Sequence, residues 1–423
     1  MKKHFDLVSI GVLIVLGPLF VFPKEKWNWL LLAAVAVLFL SRGILERTLL
    51  PKTPLDAAIG LLLIMAGAGI FVIPEIGPSL DKLAGLVYGI VVFFLLLETL
   101  KTPRRMKWAL LGFLAAGLFL AVFGTLARTR NWKPVSLAIE AKIPKLPRFD
   151  PGLKGAEVGI NPNPLGGTLL LFFPLGVMQI FILGKRNNVF ASGRRKGFLF
   201  AALAFLLVIQ ALAVFYSRSL GAWFSLALAL WLMGERKRPL KAVTAVVLLA
   251  LALGLPFMRS EPNQVLDQRI LSSLTHRGEY RALIWKNAWE VVRAHPLFGI
   301  GLDRLRRTPP FTYHLAHAHN QFLHTAAELG VPGLIAYVAI LIGIFWMMGE
   351  VRKSSLPEWL RLTSRGLGAG IFAHVVFGMG DAIPLGAKPG IFFWISLALI
   401  TSIYIYGRNH GFMSFSEPRA EHS

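Results

Sequence analysis

Long apolar runs recur along the whole chain, and they constrain its fold more than any other feature. Hydrocarbon offers no partner to a backbone N–H or C=O, so a run of about 17–25 apolar residues there must close its hydrogen bonds internally, as a helix. About twelve such segments are legible, at roughly 6–23, 27–41, 54–73, 82–98, 106–126, 164–184, 197–216, 219–234, 240–257, 331–349, 363–380 and 389–407. Charged residues make up only 16% of the 423, whereas soluble domains carry about 25%. Alternating strands of about ten residues do not repeat, which argues against an outer-membrane barrel. The expected fold is therefore an all-α polytopic membrane protein with about 12 transmembrane helices and two larger extracytoplasmic segments.

Charge sets the expected orientation. With the N-terminus inside, the loops SRGILERTLLPKTP, ETLKTPRRMK, GKRNNVFASGRRK, GERKRPLK and EVRKSSLPEWLRLTSR face the cytoplasm and hold 3, 4, 5, 4 and 4 Lys or Arg. The opposite short loops hold only Lys24 and Lys26, Lys82, Arg218 and Lys388. This asymmetry follows the positive-inside rule and accounts for a net charge of +23. Membrane lipid is an expected partner of such a surface. Nucleic acid is not, because the basic residues form no single stripe. The basic, apolar start of the chain lacks a small-x-small cleavage pattern and reads as an uncleaved first span. There is no Cys, so redox chemistry says nothing about compartment.

These features divide the chain into 1–126 (helices one to five), 127–163 (a first outer loop), 164–257 (helices six to nine), 258–330 (an outer segment with the catalytic motif), 331–407 (helices ten to twelve) and 408–423 (a cytoplasmic tail). The first outer loop is rich in Pro, which argues against a long helix there. In the second, residues 278–294 place Tyr280, Leu283, Ile284, Ala288 and Val291 at helical spacing, and Pro296, Gly299 and Gly301 end the helix in a turn.

The polar residues of the outer face are the candidates for chemistry. Arg218, in FYSRSLGAWF, sits at the outer end of a span, where an arginine either snorkels to the interface or holds an anion in a wet cavity. Arg277 and Arg281 are four residues apart and share a helix face. Two guanidinium groups so placed repel unless an anion lies between them, and their forks match phosphate geometry; a solvated helix face is the plainer alternative. HAHN at 317–320 precedes QFLHTAAELGVPG, giving His319-Asn320, nine residues, Gly330, two residues and Gly333. A neutral imidazole there can take a proton from a sugar hydroxyl at working pH, and Asn320 can orient the ring or bind substrate. The histidines at 314, 317, 319 and 324 do not have zinc-motif spacing, and no nearby Cys or carboxylate cluster completes a site, so no metal and no cofactor is expected. His374 and Asp381 flank the last outer turn, where they either line the same cavity or form a helix-end pair.

Together these segments resemble the O-antigen ligase/polymerase superfamily of membrane glycosyltransferases. The resemblance rests on Arg218, with Ser219 and Leu220 intervening before Gly221 where the family often has Gly directly. It rests also on RALIWKNAWEVVRAHPLFGIGLDRL through Arg281, Trp285, His295, Pro296, Gly299 and Gly301, on the His319–Gly333 pattern, and on NPNPLGG at 161–167. It implies a bacterial inner-membrane enzyme with its active site on the periplasmic side. Such an enzyme moves a glycan from undecaprenyl diphosphate to an acceptor hydroxyl without a metal. The resemblance makes His319 the base, Arg218 and Arg281 the diphosphate ligands and Arg277 their support; Asn320, His317, His374 and Asp381 are further candidates for binding substrate by their position in the sequence. Ligation to lipid A-core is favoured, with polysaccharide polymerisation, protein glycosylation or transport of the lipid-linked glycan as alternatives. A transporter would need the arginines but no base, and broken helices near the midplane.

Overall fold

The structure is a computed structural model that describes residues 51–71, 77–127, 160–185, 193–217, 219–233, 281–311 and 317–413, together with Ala33 and Val37 singly. The expected spans at 6–23 and 240–257, all of 27–41 but two residues, the first outer loop from 128 to 159, Arg218, Arg277, Tyr280 and His314 lie outside the described residues. Among the described residues the chain is all-helical. In chain order the helices are α1 (Asp56–Phe71), α2 (Gly77–Thr99), α3 (Pro103–Leu126), α4 (Pro162–Leu169), α5 (Phe173–Gly184), α6 (Gly193–Ser217) and α7 (Leu220–Met233), then α8 at 281–294, α9 (Gln321–Lys353), α10 (Glu358–Gly378) and α11 (Gly390–Asn409).

By length and composition, six helices among these residues can cross a membrane: α2, α3, the α4–α5 pair taken as one, α6, α9 and α11. α1 and α7 are apolar but shorter. Helix α9 corrects one expectation. It begins at Gln321, ten residues before the start of the expected span at 331, and it is broken at Gly330.

Two cores follow from this division. The larger joins the apolar helices, with α11 on α2, α9 on α1, and α10 on both α5 and α7. Gln179 of α5 donates to Thr363 of α10 at 3.1 Å, a buried polar tie between helices that lipid would otherwise leave unsatisfied. The smaller core lies under α8, where Ile284, Ala288, Val291 and Val292 pack with Ile300, Leu305, Phe311, Ala326 and Ala327. The helical spacing read over 278–294 is thus real for Ile284, Ala288 and Val291, while Leu283 is exposed. This second cluster cements α8 and the loop after it onto the first half of α9.

The break in α9 explains why two separate glycine motifs exist. Pro332 has no N–H for the carbonyl of Glu328, and Val331 donates instead to Pro296 O at 2.7 Å, so the first half of the helix ends with orphan carbonyls. The loop after α8 satisfies them: Ile300 N donates to Ala327 O at 2.9 Å and Gly301 N to Glu328 O at 3.0 Å. Approach this close requires glycine on both sides. A Cβ at Gly299 (φ +66°) would lie 2.5 Å from Glu328 O, and one at Gly330 (φ +71°) would lie 2.3 Å from Leu297 O. With ψ at 177°, Gly330 also occupies a region open essentially to glycine alone. Gly330→Ala is therefore expected to destabilise the protein by about 1–3 kcal/mol or more, read as a lowered melting temperature in detergent. Gly60→Ala in α1, where a Cβ meets nothing within 4 Å, should not lower it; equal melting temperatures for the two variants would refute the clamp.

Candidate active site

The first half of α9 starts from a cap and a strained residue. Asn320 is the N-cap, its Oδ1 accepting from Phe322 N at 2.9 Å and Leu323 N at 3.1 Å, the role for which Asn is among the best residues. Its Nδ2 donates to Met379 O at 3.2 Å and fastens the start of α9 to the end of α10. His319 has φ +49°, left-handed backbone that an L-residue adopts only when its surroundings over-determine it. Trp285 of α8 supplies one such restraint by donating Nε1–H to His319 O at 3.3 Å.

That turn brings His319 to Asp381, 62 residues further on. His319 Nδ1 lies 3.0 Å from Asp381 Oδ1. The side chain of Asp381 is 3% exposed and that of His319 22%, so the carboxylate is sealed while the imidazole reaches the surface. Ala382 N donates to Asp381 Oδ1 at 2.8 Å, and Asn163 at the start of α4 donates its Nδ2–H to Oδ2. Burial pushes the Asp381 carboxyl up. The hydrogen bond from His319, the two neighbouring imidazoles and the Ala382 amide outweigh that and hold it below the usual carboxylate range. Asp381 is thus ionised at neutral pH and accepts Nδ1–H from His319, which leaves the basic lone pair on Nε2.

His317 completes the cluster. Its Nδ1 accepts from His319 N at 3.3 Å and lies 3.4 Å from Asp381 Oδ1. Burial, opposed by Asp381, brings its pKa down to about 4, so the ring is neutral at pH 7 and its approach to Asp381 is not an ion pair.

Arg281, at the start of α8, is exposed, and a Cβ on Gly380 would stand 3.9 Å from its Nη1, which places the guanidinium beside the turn that carries Asp381. The structure therefore brings together Arg281, His317, His319, Asn320 and Asp381. It sets His374 apart: that ring has its Nδ1 3.0 Å from Gly167 O and stacks on Phe393, a tie within the helix packing.

Two partners escape a reading of the sequence alone. Asn163 lies within the quoted NPNPLGG motif, yet nothing in that motif shows that its amide meets a carboxylate 218 residues away. Glu328 is the other. It is 3% exposed, its Oε1 accepts from Asp303 N at 2.8 Å and its Oε2 lies 3.2 Å from His324 Nε2. Beneath the cluster it braces the loop that clamps the helix break.

Among the described residues, His317, His319 and Asp381 offer ligand atoms within 4.8 Å of one another, a set able to hold a metal ion. The expectation that no carboxylate joins the histidines is corrected here, because Asp381 arrives from distant sequence. In this arrangement the three are already committed to one another, with His317 Nδ1 accepting from the His319 amide and Asp381 Oδ1 facing His319 Nδ1.

A helical membrane scaffold thus carries an arginine near an Asp–His pair beside the turn at the end of α10. A family model described as O-antigen ligase matches residues 203–338, about a third of the chain, so that this segment is similar to that family. The match takes in α7, α8 and the motif from His319 to Gly333; Asn163 and Asp381 lie outside it. No curated protein matches the chain.

The depressed His317 value gives the site a pH signature. A group whose folded pKa lies below its unfolded one contributes stability that is complete above the unfolded value and is lost as pH falls toward the folded value. For His317 that window runs from 6.5 down to about 4. The melting temperature is expected to fall between pH 7 and pH 5, and to fall less in His317→Gln; equal falls would contradict the buried, neutral ring.

Proposed function

We propose that the protein is a glycosyltransferase that moves a glycan from a polyprenyl diphosphate, undecaprenyl diphosphate in bacteria, to an acceptor hydroxyl at the outer face of the inner membrane. The observation that carries the reading is the Asp381–His319 pair, with Nδ1 and Oδ1 3.0 Å apart. In the proposed mechanism Nε2 of His319 removes the proton from the acceptor oxygen as that oxygen attacks the anomeric carbon. The bond from that carbon to the diphosphate breaks, and the diphosphate leaves on its lipid. Asp381 holds the ring in the required tautomer and stabilises the imidazolium that forms. Arg281, with Arg218 and Arg277, neutralises the departing diphosphate, where preorganised charge lowers the barrier most. The leaving group is already activated, so positioning, neutralisation and one proton transfer suffice. His317 and Asn320 serve by fixing His319, and His374 belongs to the packing.

Ligation to lipid A-core is the favoured branch, in line with the matched family's description; polysaccharide polymerisation uses the same apparatus with a different acceptor. A base beside an anion ligand disfavours a lipid-linked glycan transporter, which would need only the cations.

His319→Ala is expected to lower transfer by about 10²–10⁴ while the protein still inserts and binds carrier lipid; near-normal turnover of the purified variant would exclude His319 as the base. The cluster of two imidazoles and a carboxylate supports a second reading, in which a metal ion activates the acceptor. Wild-type transfer should be unaffected by EDTA; loss on chelation, restored by a divalent ion, would favour the metal.

A further inference from the structure

We propose that the opposite end of the bundle from the His319–Asp381 cluster carries a binding site for an anionic phospholipid. It lies between the C-terminal ends of α7 and α9 and the start of α10, in a cavity of about 340 Å³ whose wall includes Arg352, Arg361, Ser364 and Arg365. α10 alone separates the two ends: Arg365 and Asp381 are 16 residues apart, roughly 25 Å along a helix.

Three observations point to a bound phosphate group. Arg361 lies in the first turn of α10, at the positive pole of the helix dipole, where a cation is disfavoured unless an anion joins it; Arg365 lies one turn further on. The carboxylate on the cavity wall, Glu358, is paired with Lys185. Arg361 Nε and Ser364 Oγ are buried without a hydrogen-bond partner, and Ser364 is only 1% exposed. Buried polar atoms of this kind are ordinarily satisfied, and both residues line the cavity, where an anion would bring the missing acceptor.

An adjoining feature identifies the anion as a lipid. A groove of about 200 Å³ shares Leu232, Met348 and Arg365 with the cavity and continues along the bundle between Phe345, Ala369 and Phe372. Its lining past Arg365 is apolar, and it is more open than the cavity. A headgroup phosphate on the arginines places an acyl chain along that groove, whereas a soluble phosphate would leave it uncovered. Basic pockets between membrane helices on the cytoplasmic side are suited to anionic headgroups, and the Lys- and Arg-rich loops put this end in the cytoplasm in the topology expected from the sequence.

The test is native mass spectrometry of the delipidated full-length protein, titrated separately with phosphatidylglycerol, phosphatidylcholine and inorganic phosphate. Phosphatidylglycerol is expected to bind at least about tenfold more tightly than phosphatidylcholine. That preference should be lost in Arg361→Gln/Arg365→Gln and reduced in Arg352→Gln, whose exposed side chain can be changed without disturbing the packing. Equal binding of the two lipids, or an undiminished preference in both variants, would overturn the site. Inorganic phosphate binding as tightly as phosphatidylglycerol would overturn its assignment to lipid. The readout is independent of glycan transfer, so it stands or falls separately from the proposed activity.

Discussion

The unpaired carbonyls at the break in α9 are the constraint on which the outer end of this protein depends. A helix interrupted by Gly330 and Pro332 leaves Ala327 O and Glu328 O without their usual partners, and orphan carbonyls away from water are costly. The loop at 295–301 supplies the missing donors. In doing so it fixes α8, because the loop continues directly from that helix and shares its small core with the half-helix beyond Asn320. Trp285 of α8 then holds the His319 carbonyl. One unmet requirement of the backbone thus propagates to the placement of the imidazole.

From that placement the chemistry follows in order. The left-handed turn at His319 and the cap at Asn320 bring the imidazole to the end of α10, where Asp381 waits in a pocket closed by Asn163 and the Ala382 amide. A carboxylate so satisfied stays ionised although buried. In the proposed mechanism it accepts Nδ1–H and makes Nε2 the working nitrogen. On the proposed reading the arginines do not hold the base; their part is the leaving group. The division between an Asp–His pair and the Arg281 cation near it suits a reaction whose donor arrives already activated.

Much of the fold was legible because hydrocarbon makes a simple demand. Runs such as 106–126 and 389–407 can only be helices there, and the structure has α3 and α11 at those places. The start of α9 was missed by ten residues because QFLHTAAELG is too polar for a span; its helicity comes from the Asn320 cap and the core under α8, which no apolar count detects. In the site, the group His317, His319 and Asn320 was visible as one short stretch. Asp381 was already a candidate for the same cavity, but its direct pairing with His319 and with Asn163 was not legible, since it depends on α4 and α10 meeting beside α9, a fact of tertiary packing. His374 shows the converse. A histidine on an otherwise apolar helix near the outer turn invites a functional role, yet the Gly167 carbonyl engages its Nδ1.

The central claim is that Asp381 acts through His319. A double-mutant cycle in the transfer assay tests it most directly, comparing His319→Ala, Asp381→Asn and the two combined. If the carboxylate works only by orienting and charging that imidazole, removing it from a protein already without the ring should cost nothing further, and the double variant should turn over as fast as His319→Ala alone. Losses that multiply would contradict the account, because Asp381 would then be acting on the substrate by a route of its own.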